Sequence, residues 1–159
     1  MYDDKQSVTR QITCGVPQGS ILGPLLFIIY MNDICNVSSI LFTIMYADDT
    51  AVLLSGKDLT SLVHLLNDEL RHLSLWLQSN KLSLNSQKTF YLLFHRVRLK
   101  GTDVLVKMDD CTLNRANSIK YLGVIIDHKL NRIEHIAYVK NKISKGVGIM
   151  FRDRQFINK

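Results

Sequence analysis

Apolar residues recur at helical spacing most clearly between residues 58 and 79. There Leu59, Leu62, Val63, Leu66, Leu70, Leu73 and Leu77 fall on one stripe. That period predicts an amphipathic helix with Asp58 as its N-cap and Asn80 ending it. A second apolar run, "ILGPLLFIIYM" (21–31), follows the loop "CGVPQGS" (14–20), where Gly15, Pro17 and Gly19 exclude regular structure. Ser20 can cap a helix from 21 to about 35 with Pro24 in its first turns. So apolar a helix is expected to be largely buried. Residues 40–46 and 51–54 are rich in β-branched and aromatic side chains. Ala47-Asp48-Asp49-Thr50 between them reads as a turn, which predicts a β-hairpin. "KLSLN" (81–85) and "TFYLLF" (89–94) read as short strands around a turn, with further strands near 104–107 and 119–126. From Asn131 the helical period returns through Ile133, Ile136, Ile143 and Val147. Helix, hairpin, helix, then strands gives an α+β class, an antiparallel sheet faced by helices.

Composition narrows this picture without changing it. A length of 159 residues is one domain, or one domain and part of a second. With 47% hydrophobic and 21% charged residues the chain is not a disordered one. Cys14, Cys35 and Cys111 are odd in number and share no CxxC spacing. They argue against a disulfide framework or a zinc site and read as small buried thiols in a reducing compartment, in the nucleus or cytoplasm. The first 20 residues are too polar for a signal peptide, and 21–31 is too short to span a bilayer, so no membrane is expected. No internal repeat or low-complexity tract is visible. A net charge of +6 is compatible with a polyanionic partner.

Two features carry candidate chemistry. Asp48 and Asp49 are either ordinary turn residues whose side chains cap backbone N–H groups, or a crowded acid pair that a cation neutralises. Lys140, Lys142, Lys145, Arg152 and Arg154 make the tail basic, as a solvated face or as a binder of phosphates.

"GVPQGSILGPLLF" (15–27), "YADDT" (46–50) and "YLGVIID" (121–127), in this order and spacing, resemble reverse transcriptases, most nearly those of jockey-like non-LTR retrotransposons. "NKLSLNSQKT" (80–89) is similar to the segment between the last two motifs. The resemblance implies a partial polymerase palm over 1–127 and the beginning of a thumb helix over 128–159. It implies template-directed nucleotide transfer with two Mg²⁺ ions, or Mn²⁺, about 4 Å apart. Asp48 and, more peripherally, Asp49 correspond to the metal-holding acids. Gly15, Pro17, Gln18 and Gly19, with Tyr46 and Ala47, correspond to groups lying against the incoming nucleotide and the template. Lys88 corresponds to the lysine that protonates or stabilises the leaving pyrophosphate; its plainer reading is a solvated side chain. Tyr121, Leu122 and Gly123 correspond to the primer grip, although the first two equally suit a sheet core and Gly123 a bulge. Lys140, Lys142 and Lys145 would follow the duplex backbone. The implied partners are an RNA template, a DNA primer, deoxynucleoside triphosphates and the upstream part of the same polyprotein.

The family pattern also has an earlier strand whose Asp bridges both metals, well upstream of Pro-Gln-Gly. Here 14 residues precede Gly15, and Asp3 and Asp4 in "MYDDKQS" stand at the wrong distance in polar surroundings, so they are read as decoys. Arg132 stands where such sequences usually carry a tryptophan. The expectation is a palm core without fingers, with exposed apolar surface and little polymerisation by this chain alone. Two other readings remain: a non-catalytic nucleic-acid-binding remnant using the basic tail, and, last, a metal-dependent nuclease, for which extra His or carboxylate ligands are wanting.

Overall fold

The computed structural model describes residues 19–95 and 104–157, which divide between two compact units, Met1–Leu62 and Val63–Lys159. In the first unit the Ser20 hydroxyl accepts the Gly23 N–H at 2.9 Å, capping helix α1 (Leu22–Met31) as its sequence requires. Pro24 sits in the first turn, where its missing N–H costs nothing. A short 3-10 helix (Asn32–Asn36) tightens the exit, so the α-helix ends earlier than residue 35. The Ser38 hydroxyl then accepts the N–H groups of Ile40 and Leu41, turning the chain into β1 (Phe42–Tyr46). β1 pairs antiparallel with β2 (Asp49–Leu53) from Phe42 opposite Leu53 to Tyr46 opposite Asp49.

Two expectations are corrected here. The hairpin turn is two residues, Ala47 and Asp48, so Asp49 and Thr50 already belong to β2. A two-residue loop matches the twist of its strands better than a four-residue one. Helix α1 is also not buried: Leu22, Leu25, Ile28 and Ile29 are exposed, and only Gly23 and Met31 are closed off. Apolarity on every side calls for cover on every side, and the described residues supply it on one.

The unit boundary falls inside helix α2 (Leu59–Ser79), whose start and end agree with its sequence pattern. Asp58 accepts the Ser61 N–H at 2.7 Å as N-cap. At the far end Lys81 and Leu82 donate to the Gln78 and Leu77 carbonyls, a Schellman motif in which Lys81 takes φ +54°. In the second unit Leu70 and Leu73 of α2 are buried together with Val106, Met108 and Leu113. The Asn67 side chain substitutes for a strand neighbour. Its amide donates to the Leu105 carbonyl at 3.1 Å and its oxygen accepts the Lys107 N–H at 2.9 Å.

The strands of this unit are short and paired in twos. β3 (Phe90–Tyr91) runs parallel to β6 (Asn114–Arg115). β4 (Lys107–Met108) is antiparallel to β5 (Cys111–Thr112). β7 (Ser118–Tyr121) is antiparallel to β8 (Val124–Asp127). Helix α3 (Ile133–Ile157) follows and packs on β8. The mixed helix and sheet class stands, while the described strands form two-stranded ribbons, one of them parallel. Residues 81–85 are not a strand. Their alternating pattern is overridden by the Schellman exit and by Asn85, whose carbonyl accepts the Lys88 N–H and the Thr89 hydroxyl.

Candidate active site

The acid pair owes its position to the hairpin. Ala47 has φ +52° and Asp48 does not share that sign, the signature of a II′ turn, in which glycine usually fills the first position. A Cβ there strains the backbone by roughly 1–2 kcal/mol, so the tip is held in one shape against a local cost. Asp48 occupies the second turn position and Asp49 opens β2 opposite Tyr46. Both carboxylates are exposed, and among the described residues neither has a hydrogen-bond or ion-pair partner.

Strand alternation and register place Phe42, Ile44, Tyr46, Asp49, Ala51 and Leu53 on one face of the hairpin. That face is bare: Phe42 is 67% and Tyr46 63% exposed, and Ile44 and Leu53 are exposed as well. Thr43, Met45 and Val52, on the other face, are half-buried. An aromatic ring beside a carboxylate at an open sheet tip is a surface made for contact.

A second adjacent acid pair shows that such a pair alone is no signal. Asp109 and Asp110 form the two-residue turn between β4 and β5, and Asp109 has φ +52°. The Asp109 carboxylate accepts hydrogen bonds from the Ser74 hydroxyl and, at 3.1 Å, from the Gln78 side-chain amide. That pair pins a turn to α2; the pair at the β1–β2 tip holds no partner among the described residues.

The other expected site residues divide between the two units and the residues not described. Gly15, Pro17 and Gln18 lie outside the described residues. Gly19 has φ +86°, and a Cβ there would meet nothing within 4 Å, so backbone conformation alone demands the glycine. Lys88 ends an exposed turn, its N–H held by Asn85. Leu122 (φ +47°) and Gly123 (φ +84°) are the two residues of the β7–β8 turn, a I′ pattern, which corrects the reading of Gly123 as a bulge. Leu122 is exposed, not sheet core. The Tyr121 hydroxyl is buried without a hydrogen-bond partner among the described residues. Lys140, Lys142 and Lys145 are exposed on α3. The acid pair with Tyr46 and Ala47 belongs to the first unit; Lys88, the β7–β8 turn and the α3 lysines belong to the second.

Three attachments between β7–β8 and α3 escaped sequence reasoning. The Asp127 carboxylate, buried at the end of β8, accepts the N–H groups of Lys129 (3.0 Å), Asn131 (3.3 Å) and Arg132 (3.1 Å). Burial pushes its pKa up, but the N–H donors of Asn131, Arg132 and Lys129 outweigh it and hold the carboxyl below the usual range. These bonds fix a loop in which Leu130 and Arg132 take positive φ. The Ile125 N–H donates to His135 Nδ1 at 3.3 Å. Lys120 Nζ donates to the Tyr138 hydroxyl at 3.0 Å and lies 4.7 Å from the ring centroid. This hydrogen bond and charge, and then the charge of Lys142, lower the Tyr138 pKa against the opposing effect of burial. Asp127 stood in view as the last letter of "YLGVIID". Lys120 and Tyr138 had no signal beyond their own chemistry.

The family model described as reverse transcriptase (RNA-dependent DNA polymerase) matches residues 1–126, and the chain belongs to that family. The chain is 27% identical over 155 residues to the RNA-directed DNA polymerase from mobile element jockey of Drosophila melanogaster, an alignment covering 93% of the chain and 17% of that protein. It is 31% identical over 139 residues to the probable RNA-directed DNA polymerase from transposon BS of the same species, covering 82% and 15%. A Pol polyprotein from the type-1 retrotransposable element R1 of Bradysia coprophila is 23% identical over 154 residues, covering 95% and 15%. The chain thus spans 15–17% of the length of these relatives. No solved structure matches it. Among the described residues no helix is long and apolar enough to cross a membrane.

Proposed function

We propose that this chain is part of an RNA-directed DNA polymerase of a non-LTR retrotransposon, palm over 1–127 and the start of a thumb beyond. In this reading Asp48 and Asp49 hold the divalent ions of nucleotidyl transfer. The observation that carries it is the acid pair, unpartnered among the described residues, at a strained hairpin tip, inside a chain that matches the reverse transcriptase family through residue 126.

Two adjacent carboxylates are hard oxygen donors and suit Mg²⁺, which keeps several waters and needs few protein ligands. Among the described residues no group of three or more His, Cys, Asp or Glu gathers, so the pair supplies only part of a metal shell. When bound, the ions supply activation of the primer hydroxyl and neutralisation of the triphosphate. The chain's own part is positional. β1 and β2 hold the carboxylates still, and Tyr46, on the face it shares with Asp49, offers a ring to the nucleotide or template. Lys88, exposed and with no partner for its ammonium among the described residues, is suited to the leaving pyrophosphate. RNA template, DNA primer and deoxynucleoside triphosphates are the partners this reading requires.

Primer extension on an RNA template with Mg²⁺ tests it. The 159-residue chain yields little product, because the tip carries only a partial metal shell, and whatever product forms vanishes in Asp48→Ala. Product that survives Asp48→Ala contradicts the assignment.

A further inference from the structure

We infer that α3 is a self-association surface, on which a second copy of this chain lays its own α3 antiparallel as a short two-stranded coiled coil. The inference does not depend on the polymerase reading.

One face of the helix is already in use. His135, Tyr138 and Val139 are half-buried, and His135 and Tyr138 bond to Ile125 of β8 and Lys120 of β7. About 100° round the helix a different stripe runs along it. Ile133, Ile136, Lys140, Ile143, Val147, Met150 and Arg154 follow one another at alternating steps of three and four. That is the heptad of a coiled coil, with Ile133, Lys140, Val147 and Arg154 at a and Ile136, Ile143 and Met150 at d. The five apolar members are each more than half exposed. A stripe held to the 3.5 period fits another helix as its cover.

Register and charge select a second copy, and its direction. With Ile133 level with Met150 of the second copy, Ile136 falls level with Val147 and Lys140 with Ile143. Every a then lies beside a d, and the two-fold axis repeats each layer. A parallel pair would instead set Lys140 against Lys140 and Arg154 against Arg154, like charge on like. The antiparallel pair staggers the lysines, lays their apolar stems on the seam and leaves Arg154 beyond the overlap. The same register brings Arg132, just before α3, within a turn of Asp153 of the second copy, on the g edge of the seam. Among the described residues neither side chain has an ion-pair partner within its own chain.

Gly146 is a separate observation. Glycine destabilises a helix interior relative to alanine, yet a Cβ at Gly146 would meet nothing within 4 Å, so the single chain gives no reason for it. It too lies on the g edge, where a Cβ would hold a second backbone off. Ala137 and Ser144 keep the opposite e edge small. Gly148 faces away from the seam and has no such explanation.

The overlap from 133 to 150 is about 26 Å long. The apolar side chains of both helices give up about 1,000 Å² together, the lower bound for a specific interface. A seam that short, with a lysine in each strand, makes a weak dimer, with Kd on the order of 10–100 μM.

Sedimentation equilibrium of the 159-residue chain over about 1–500 μM at fixed salt tests this, and a monomer–dimer equilibrium is expected. Ile143→Glu raises Kd more than about 100-fold, because the two-fold axis counts each loss twice. Arg132→Asp raises it about ten-fold, and adding Asp153→Arg to the same chain restores it, as the antiparallel register requires. Lys140→Leu lowers Kd. Gly146→Ala raises Kd and Gly148→Ala does not, although both strengthen the helix. Far-ultraviolet circular dichroism of each variant at low concentration separates lost docking from lost fold. A chain that stays monomeric throughout overturns the inference and leaves the stripe to another cover. Association that Ile143→Glu leaves intact assigns it to another exposed face, such as α1, and also overturns it. A charge reversal at Arg132 without effect, or one that Asp153→Arg fails to restore, overturns the antiparallel arrangement.

Discussion

Ala47 carries a Cβ where its turn favours none, and it lies next to the residue on which the chemistry depends. Ala47→Gly removes that strain at some cost in unfolded-state entropy, a net gain of about 0.5–1 kcal/mol. The gain should appear as a raised urea midpoint at unchanged m-value, while metal affinity falls because the tip is less firmly held. Tyr121 presents the opposite case. Its hydroxyl is buried with no partner among the described residues, a state that costs about 1–3 kcal/mol. Tyr121→Phe is therefore expected to stabilise the chain or leave it unchanged, and loss of stability in urea would show that the hydroxyl is satisfied.

At the scale of elements, α2 was legible throughout because period, cap and terminator all came from neighbouring residues. Its Schellman exit places Lys81 where glycine is the usual choice, so Lys81→Gly should raise stability by about 0.5–1 kcal/mol in the same urea titration. The β1–β2 hairpin was placed correctly but with too long a turn, since Ala47 gives no hint of the positive φ that a two-residue loop requires. The strand expected over 81–85 fails because Leu82 and Leu84 alternate with polar residues as a strand would, while the helix exit claims the Lys81 and Leu82 N–H groups first and Asn85 turns the chain by accepting the Lys88 N–H. Turn chemistry by itself does not separate Asp48-Asp49, which only its YADDT context sets apart in sequence, from Asp109-Asp110. The difference lies in Ser74 and Gln78, which reach only the latter across more than 30 positions. The junction of β8 with α3 has its own pH signature. Since the folded pKa of Asp127 lies below its unfolded value of 3.8, its contribution is present above that pH and is lost as pH falls through the folded value. NMR titration of the Lys129, Asn131 and Arg132 amides should show a midpoint below 3.8; a midpoint at or above it contradicts the assigned bonds.

Across the molecule, burial is the property the sequence states least well. The apolar composition of α1 implied a buried helix, yet Leu22, Leu25, Ile28 and Ile29 are exposed, as are Phe42 and Leu53 on the hairpin. Which residues end up covered depends on chain far away, or on partners. Val106, by contrast, is 1% exposed. Val106→Ala should therefore cost about 2 kcal/mol, whereas Phe42→Ser on the bare face should stay within about 0.5 kcal/mol. A reversed ranking in urea melts would mean that the hairpin face is covered.

The decisive measurement is paramagnetic broadening by Mn²⁺, used as a probe ion, in an amide NMR spectrum of the 159-residue chain. Substoichiometric Mn²⁺ should broaden resonances of Tyr46 through Thr50 first, and the effect should disappear in Asp48→Asn. Broadening centred on Asp109 and Asp110 instead, or spread evenly over all exposed carboxylates, would contradict the claim that the β1–β2 tip is a metal-holding site.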